Sequence, residues 1–150
     1  MCLRLRPSRR VTISPTALSL RLLRDEGWLV DVCERWVPGG GTVKVRKDLF
    51  GLIDLVALKD CETMGVQTTS NANVNARLNK MQDEEHQAAL RALQAAGWSI
   101  VVHGWRLSSR DGHACKHKQV RCGCKWTLHR LIDIEPVSAP YINAEQLTLF

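Results

Sequence analysis

The stretch "FGLIDLVAL", residues 50–58, constrains the fold more than any other part of the chain. It is apolar on both of its alternating faces, which fits a central strand covered on each side and not the half-wet strand of an open antiparallel sheet. Such a strand needs neighbours. Residues 28–37, "WLVDVCERWV", alternate as a strand before "PGGG" forces a loop, and "MGVQTTS" returns as a strand after a polar turn at 59–63. Residues 98–107, "WSIVVHGWRL", form a further strand, and residues 125–134, "KWTLHRLIDI", its antiparallel partner across a long basic connection. The covering helices are equally legible. "SPTALSLRLLRDEG" has Ser14 as N-cap, Pro15 in the first helical position and Gly27 to end it. Asn71 or Asn73 can cap a short helix through Lys80. "DEEHQAALRALQAAG" follows with acids in its first turn, Leu90 and Leu93 on its buried face and Gly97 at its end. The order α-β-β-β-α-β-β predicts an α/β sandwich, a mixed sheet between helical layers.

With 150 residues, 45% hydrophobic, the chain can bury one sizeable core. The expected organisation is a basic extension over 1–13, a domain over 14–135 and a flexible tail over 136–150. Lysine and arginine number 21 against 15 acids, a net +6 concentrated at Arg4, Arg6, Arg9, Arg10 and across 116–130, which suits a polyanionic partner. Six cysteines in a chain able to build a core without staples are expected to be reduced thiols. No apolar run reaches the ~20 residues of a membrane span, and the basic start lacks the apolar segment of a secretory signal. A soluble, cytoplasmic protein is expected, although residues 1–24 hold arginines and no acid, as an organelle transit peptide would.

Asp54 interrupts Leu52, Ile53, Leu55 and Val56, so a carboxylate falls on a strand otherwise suited to burial. Burying an unpaired ion costs several kcal/mol, roughly, so Asp54 is either held by a backbone amide or an arginine, or ligates a metal. A hairpin would bring Gln67 beside it, and a hard ion such as magnesium accepts carboxylate, carbonyl and water oxygens together. Glu34 can supply a second carboxylate, directly or through water, or be a solvated acid at a strand end. Lys44, Arg46 and Lys47 precede the Asp54 strand, where they can hold phosphates; Asp48 is expected to cap the strand or to orient one of those cations.

The element order, with Asp54 in "LFGLIDLVAL" and the downstream "VQTTS", resembles the PD-(D/E)xK nuclease superfamily, in particular the phage and prokaryotic group similar to Holliday junction resolvases. The likeness spans about residues 14–134. It implies a restriction-endonuclease-like fold, magnesium or manganese held by Asp54 and Gln67, hydrolysis of DNA phosphodiesters, a preference for branched or junction DNA, and a homodimer. Thr69 stands where that family has a lysine, and a threonine cannot supply positive charge to the developing phosphorane. Asn73, Arg77 and Lys80 recur at helical spacing, so Lys80 is the candidate to replace it, with Asn73 and Arg77 contacting phosphate. A fold that kept the shape and lost the chemistry, a DNA-binding adaptor, is the alternative, and a zinc-stabilised interaction module is the third reading.

The chain ends Gln146, Leu147, Thr148, Leu149, Phe150, which resembles the bacterial sliding-clamp binding motif: a glutamine for one subsite and a Leu/Phe pair for a hydrophobic pocket. Cys115, Cys122 and Cys124 lie among His113, His117 and His129, ligand types suited to zinc but not in the paired C-x-x-C spacing of a zinc ribbon; a basic, reduced hairpin over DNA is the simpler reading. His103, Trp98 and Trp105 are expected to pack in the core, an exposed Trp105 being the one that could stack on a base.

Overall fold

The computed structural model describes residues 13–116 and 123–137. Helix α1 (Pro15–Asp25) is followed by strands β1 (Leu29–Val32), β2 (Arg35–Pro38), β3 (Lys44–Lys47), β4 (Leu55–Lys59) and β5 (Glu62–Ser70). A 3-10 turn at Asn71–Asn73 leads into helices α2 (Val74–Gln82) and α3 (Glu84–Ala95), and strands β6 (Trp98–Ser108) and β7 (Lys125–Asp133) complete the order. Five strands form one mixed sheet in the order β1-β4-β5-β6-β7, with β5 and β6 parallel and the other neighbours antiparallel. Strands β2 and β3 form a separate two-stranded sheet.

Helices cover both faces, as the doubly apolar central stretch requires. On one face Leu23 of α1 packs with Val30, Leu55, Ala57, Val66 and Val101. On the other, Val74, Met81, Leu90 and Leu93 of α2 and α3 pack with Leu52, Ile53, Ile100 and Val102. Approach is close on that second face: a methyl on Gly65 would overlap Ile53 Cδ1, and one on Gly104 would lie 2.5 Å from Val74 Cγ2. Ser14 caps α1 by accepting from Ala17 N at 3.1 Å, with Pro15 in the first turn. Gly27 (φ +89) and Gly97 (φ +86) take the left-handed conformation that turns the chain after α1 and α3. Neither Asn71 nor Asn73 caps α2 with its side chain; Asn73 donates instead to Ser70 Oγ at 3.0 Å.

Two strands differ from expectation. Residues 28–37 are not one strand: the chain leaves the main sheet at Cys33 and Glu34, and β2 pairs only with β3. Trp28, Val30, Val32 and Trp36 share one alternating phase that only Glu34 interrupts, and Glu34 falls at the break. Residues 50–54 are not strand either. Phe50 (φ 55) and Gly51 (φ 68) are both left-handed, Leu52 N donates to Leu49 O at 3.1 Å, and Leu49 bridges Ile53, which makes a tight reversal of the primed type. Asp54 therefore sits immediately before β4, at its entry. Among the described residues, no helix is long and apolar enough to cross a membrane.

Candidate functional site

The tight reversal at residues 49–53 is what brings the acids together, because it turns the chain back so that Asp48 and Asp54 meet at its base. The break between β1 and β2 adds Glu34: Cys33 N donates to Asp54 O at 2.8 Å, fixing the next residue alongside. One carboxylate oxygen from each of Glu34, Asp48 and Asp54 lies within 4.8 Å of the others, the one such group of potential ligands among the described residues.

Asp54 is buried and heavily supported. Its Oδ2 accepts from Gln67 Nε2 at 2.6 Å, Thr68 N at 2.7 Å and Thr68 Oγ1 at 2.9 Å, and its backbone N–H donates to Val66 O. Thr68 gives its hydroxyl proton to the carboxylate, so the 2.9 Å contact between Thr16 Oγ1 and Thr68 Oγ1 is a donation from Thr16 of α1. With all three of these bonds on Oδ2, Oδ1 is the oxygen left for a cation. Burial pushes the Asp54 carboxyl above its ordinary range; the Thr68 amide opposes that, the Asp48 charge adds to it, and the Thr68 hydroxyl and Arg77 oppose it further. An ionised Asp54 is thus a cost that a divalent cation would relieve, and three convergent carboxylates suit a hard ion such as magnesium or manganese.

The acids open onto a cavity of about 540 Å³. Asn73, Arg77 and Lys80 line it from the helical side, Thr69 and Ser70 from β5, Arg46 from β3, and Ser14 and Thr16 from the start of α1. Arg46 pairs with Glu34. The cavity thus holds three acids, Glu34, Asp48 and Asp54, facing three cations, Arg46, Arg77 and Lys80.

Most of the residues singled out in the sequence converge here: Asp54, Glu34, Thr69, Arg46, Asn73, Arg77 and Lys80 all line the cavity. Gln67 differs. Its nitrogen, not its oxygen, faces Asp54, since an amide oxygen against a carboxylate oxygen would repel, and it is fully buried behind the acid. Its hydrogen bond holds the Asp54 carboxylate in place. Asp48, expected to cap the strand or to orient one of the neighbouring cations, joins the acid cluster; the signal was "DLFGLID", two aspartates flanking an apolar segment with a glycine at its middle. Lys44 and Lys47 stay exposed on β3, outside the cavity lining.

Elsewhere, His103 and Trp105 are core residues that share Ser19 Oγ, at 3.0 and 2.7 Å, so Trp105 is not open to stack on a base. Trp98 packs against the α2 and α3 side of the core. His113 is exposed, and Cys115 and Cys124 are half-buried. Cys122, His117, residues 1–12 of the basic extension, and the tail Gln146, Leu147, Thr148, Leu149 and Phe150 lie outside the described residues. No protein-family model, curated protein or solved structure matches this chain.

Proposed function

We propose that the protein is a metal-dependent endodeoxyribonuclease of the restriction-endonuclease-like kind, acting on branched DNA as Holliday junction resolvases do. The carrying observation is the cavity in which Glu34, Asp48 and Asp54 converge opposite Arg77 and Lys80. The element order and the buried acid at the entry to β4 support the same reading.

Glu34, Asp48 and Asp54 would hold magnesium or manganese, which when bound polarises the phosphodiester and stabilises the departing oxygen. Gln67, Thr68 and Thr16 keep Asp54 in one orientation, so the coordinating oxygen needs no rearrangement as substrate arrives. Arg77 and Lys80 bring fixed positive charge to the phosphate from α2, where Thr69 leaves none. The balance of acids and cations also suits the reaction: a divalent ion entering with a singly charged phosphodiester and an attacking hydroxide adds no net charge to the cavity. Residues 146–150 would recruit the enzyme to the sliding clamp, and a homodimer would set two such sites on the arms of a junction.

The test is a cleavage panel of four-way junction, flap, single-stranded and duplex DNA with magnesium, run beside Asp54→Asn and Lys80→Ala. Cutting of branched DNA that Asp54→Asn abolishes and Lys80→Ala cripples is the expected result. Salt-sensitive junction binding with no product under magnesium or manganese would make the protein a non-catalytic adaptor. Deleting residues 146–150 is expected to abolish clamp pull-down and leave cleavage intact.

A further inference from the structure

The hairpin of β2 and β3 has no core of its own, yet it carries a tryptophan in the open. Trp36 is 66% exposed, and Val43 and Val45 are also largely uncovered. Residues 35–47 include Arg35, Lys44, Arg46 and Lys47 and not one acid. An indole left in water on a hairpin with four cations and no acid suits an anionic, aromatic partner.

Register gives the surface a direction. Trp36 pairs directly with Arg46, and Pro38 with Lys44, so these four side chains share one face of the hairpin. Arg46 also lines the acidic cavity and pairs with Glu34. The exposed indole is therefore continuous with the site and lies one residue pair from its rim. At the outer end, Trp36, Pro38 and Val43 wall a groove of about 510 Å³ with Lys44 beside them.

We propose that this hairpin binds unpaired, single-stranded DNA, with the Trp36 indole stacked on a base and Lys44 and Arg46 against the adjoining backbone. The proposal rests on the reading of the cavity as a DNA-hydrolysing site and names the feature of the substrate that the site recognises. In an intact duplex each base face is covered by its neighbours, so a stacking platform selects strands that are already open, at a junction, flap or end. A second copy of the same hairpin is disfavoured as the occupant, because it would set Lys44 and Arg46 against their own copies.

The experiment reads binding without cleavage. Full-length wild type, Trp36→Ala and Trp36→Phe are titrated in EDTA with fluorescein-labelled oligothymidylate and with blunt duplex, following anisotropy and tryptophan emission. Trp36→Ala is expected to weaken oligothymidylate binding roughly tenfold relative to duplex. Trp36→Phe should recover most of that loss, and the emission quenched by oligothymidylate in wild type should be insensitive to it in Trp36→Ala. Equal weakening for both DNAs, or no quenching in wild type, overturns the proposal. So does a Trp36→Ala protein that changes from dimer to monomer in sedimentation while its oligothymidylate affinity stays unchanged. A protein that stacks oligothymidylate but never cuts removes the nuclease reading alone; one that cuts branched DNA and ignores Trp36 removes this proposal alone.

Discussion

The two small structures that border the cavity are built in opposite ways. Where β4 and β5 meet Asp54, Leu52, Ile53, Leu55 and Val66 are fully buried and the carboxylate oxygen on the protein side has three donors. The β2–β3 hairpin opposite has short strands, an exposed tryptophan and cations with hardly any packing. The difference fits the roles proposed for each. A metal ligand must be right to within about half an ångström, which only a saturated, packed surround provides. A phosphate-binding cation works at longer range and tolerates a mobile side chain.

The sharpest way to break this comparison is to exchange a ligand for a supporter. Asp48→Asn removes one of the three converging carboxylates and is expected to lower cleavage on the order of a thousandfold, the scale seen for losing a key electrostatic group. Gln67→Met, which removes only a donor behind Asp54, should cost between about ten and a hundredfold. Isothermal titration with manganese alongside single-turnover cleavage measures both. If Gln67→Met proves the more damaging of the two, the amide is the ligand and Asp48 is not.

That same pair marks how far the sequence could be read. The doubly apolar stretch, the caps at Ser14, Gly27 and Gly97 and most of the period-two strands were legible because burial and capping act locally, and they yielded the α/β arrangement with its mixed sheet. Asp54 was legible because a charge in an apolar run is costly wherever the run folds. The place of Asp48 beside it was not, since that depends on a left-handed pair at Phe50 and Gly51, and a phenylalanine gives no sign of positive φ. Gln67 was found at the right place with the wrong atom forward, because residue type cannot tell which end of an amide meets the acid. The departure of β2 from the main sheet left only a faint mark, Glu34 being the single polar residue on the phase of Trp28, Val30, Val32 and Trp36.

The packed half also carries a pH signature. Burial pushes His103 down from 6.5 to about 4. The unfolded chain therefore takes up a proton before the folded one does, so the contribution to stability is intact above about 6.5 and is lost as pH falls toward 4. At full loss it is on the order of 3 kcal/mol. Urea midpoints measured across that window should fall steeply for wild type and more shallowly for His103→Gln. Parallel curves would mean that His103 takes up its proton as readily in the folded chain as in the unfolded one.

The hairpin half should fail in a different measurement. Lys44→Ala with Lys47→Ala removes two exposed cations, so the slope of log affinity against log salt for duplex DNA should decrease by about two, with affinity at low salt down roughly tenfold. The melting temperature should stay within about a degree, because neither side chain is buried and surface changes of this kind are within about 0.5 kcal/mol. A large loss of stability would show that the hairpin is part of the packed framework after all.

The smallest effect tests the seam between the two halves. Phe50 holds a φ of 55 while its side chain is 60% exposed, so its left-handed backbone is a cost with little packing to offset it. Asparagine tolerates that conformation and, followed by Gly51, makes the Asn-Gly pair that primed turns favour. Phe50→Asn is therefore expected to stabilise the protein by about 1 kcal/mol, near 3 °C in melting temperature, read by calorimetry. Because the substitution keeps the reversal, Asp48 and Asp54 stay adjacent, and manganese affinity should change less than about twofold. A lower melting temperature with weakened manganese binding would mean that the phenylalanine ring itself holds the two aspartates together.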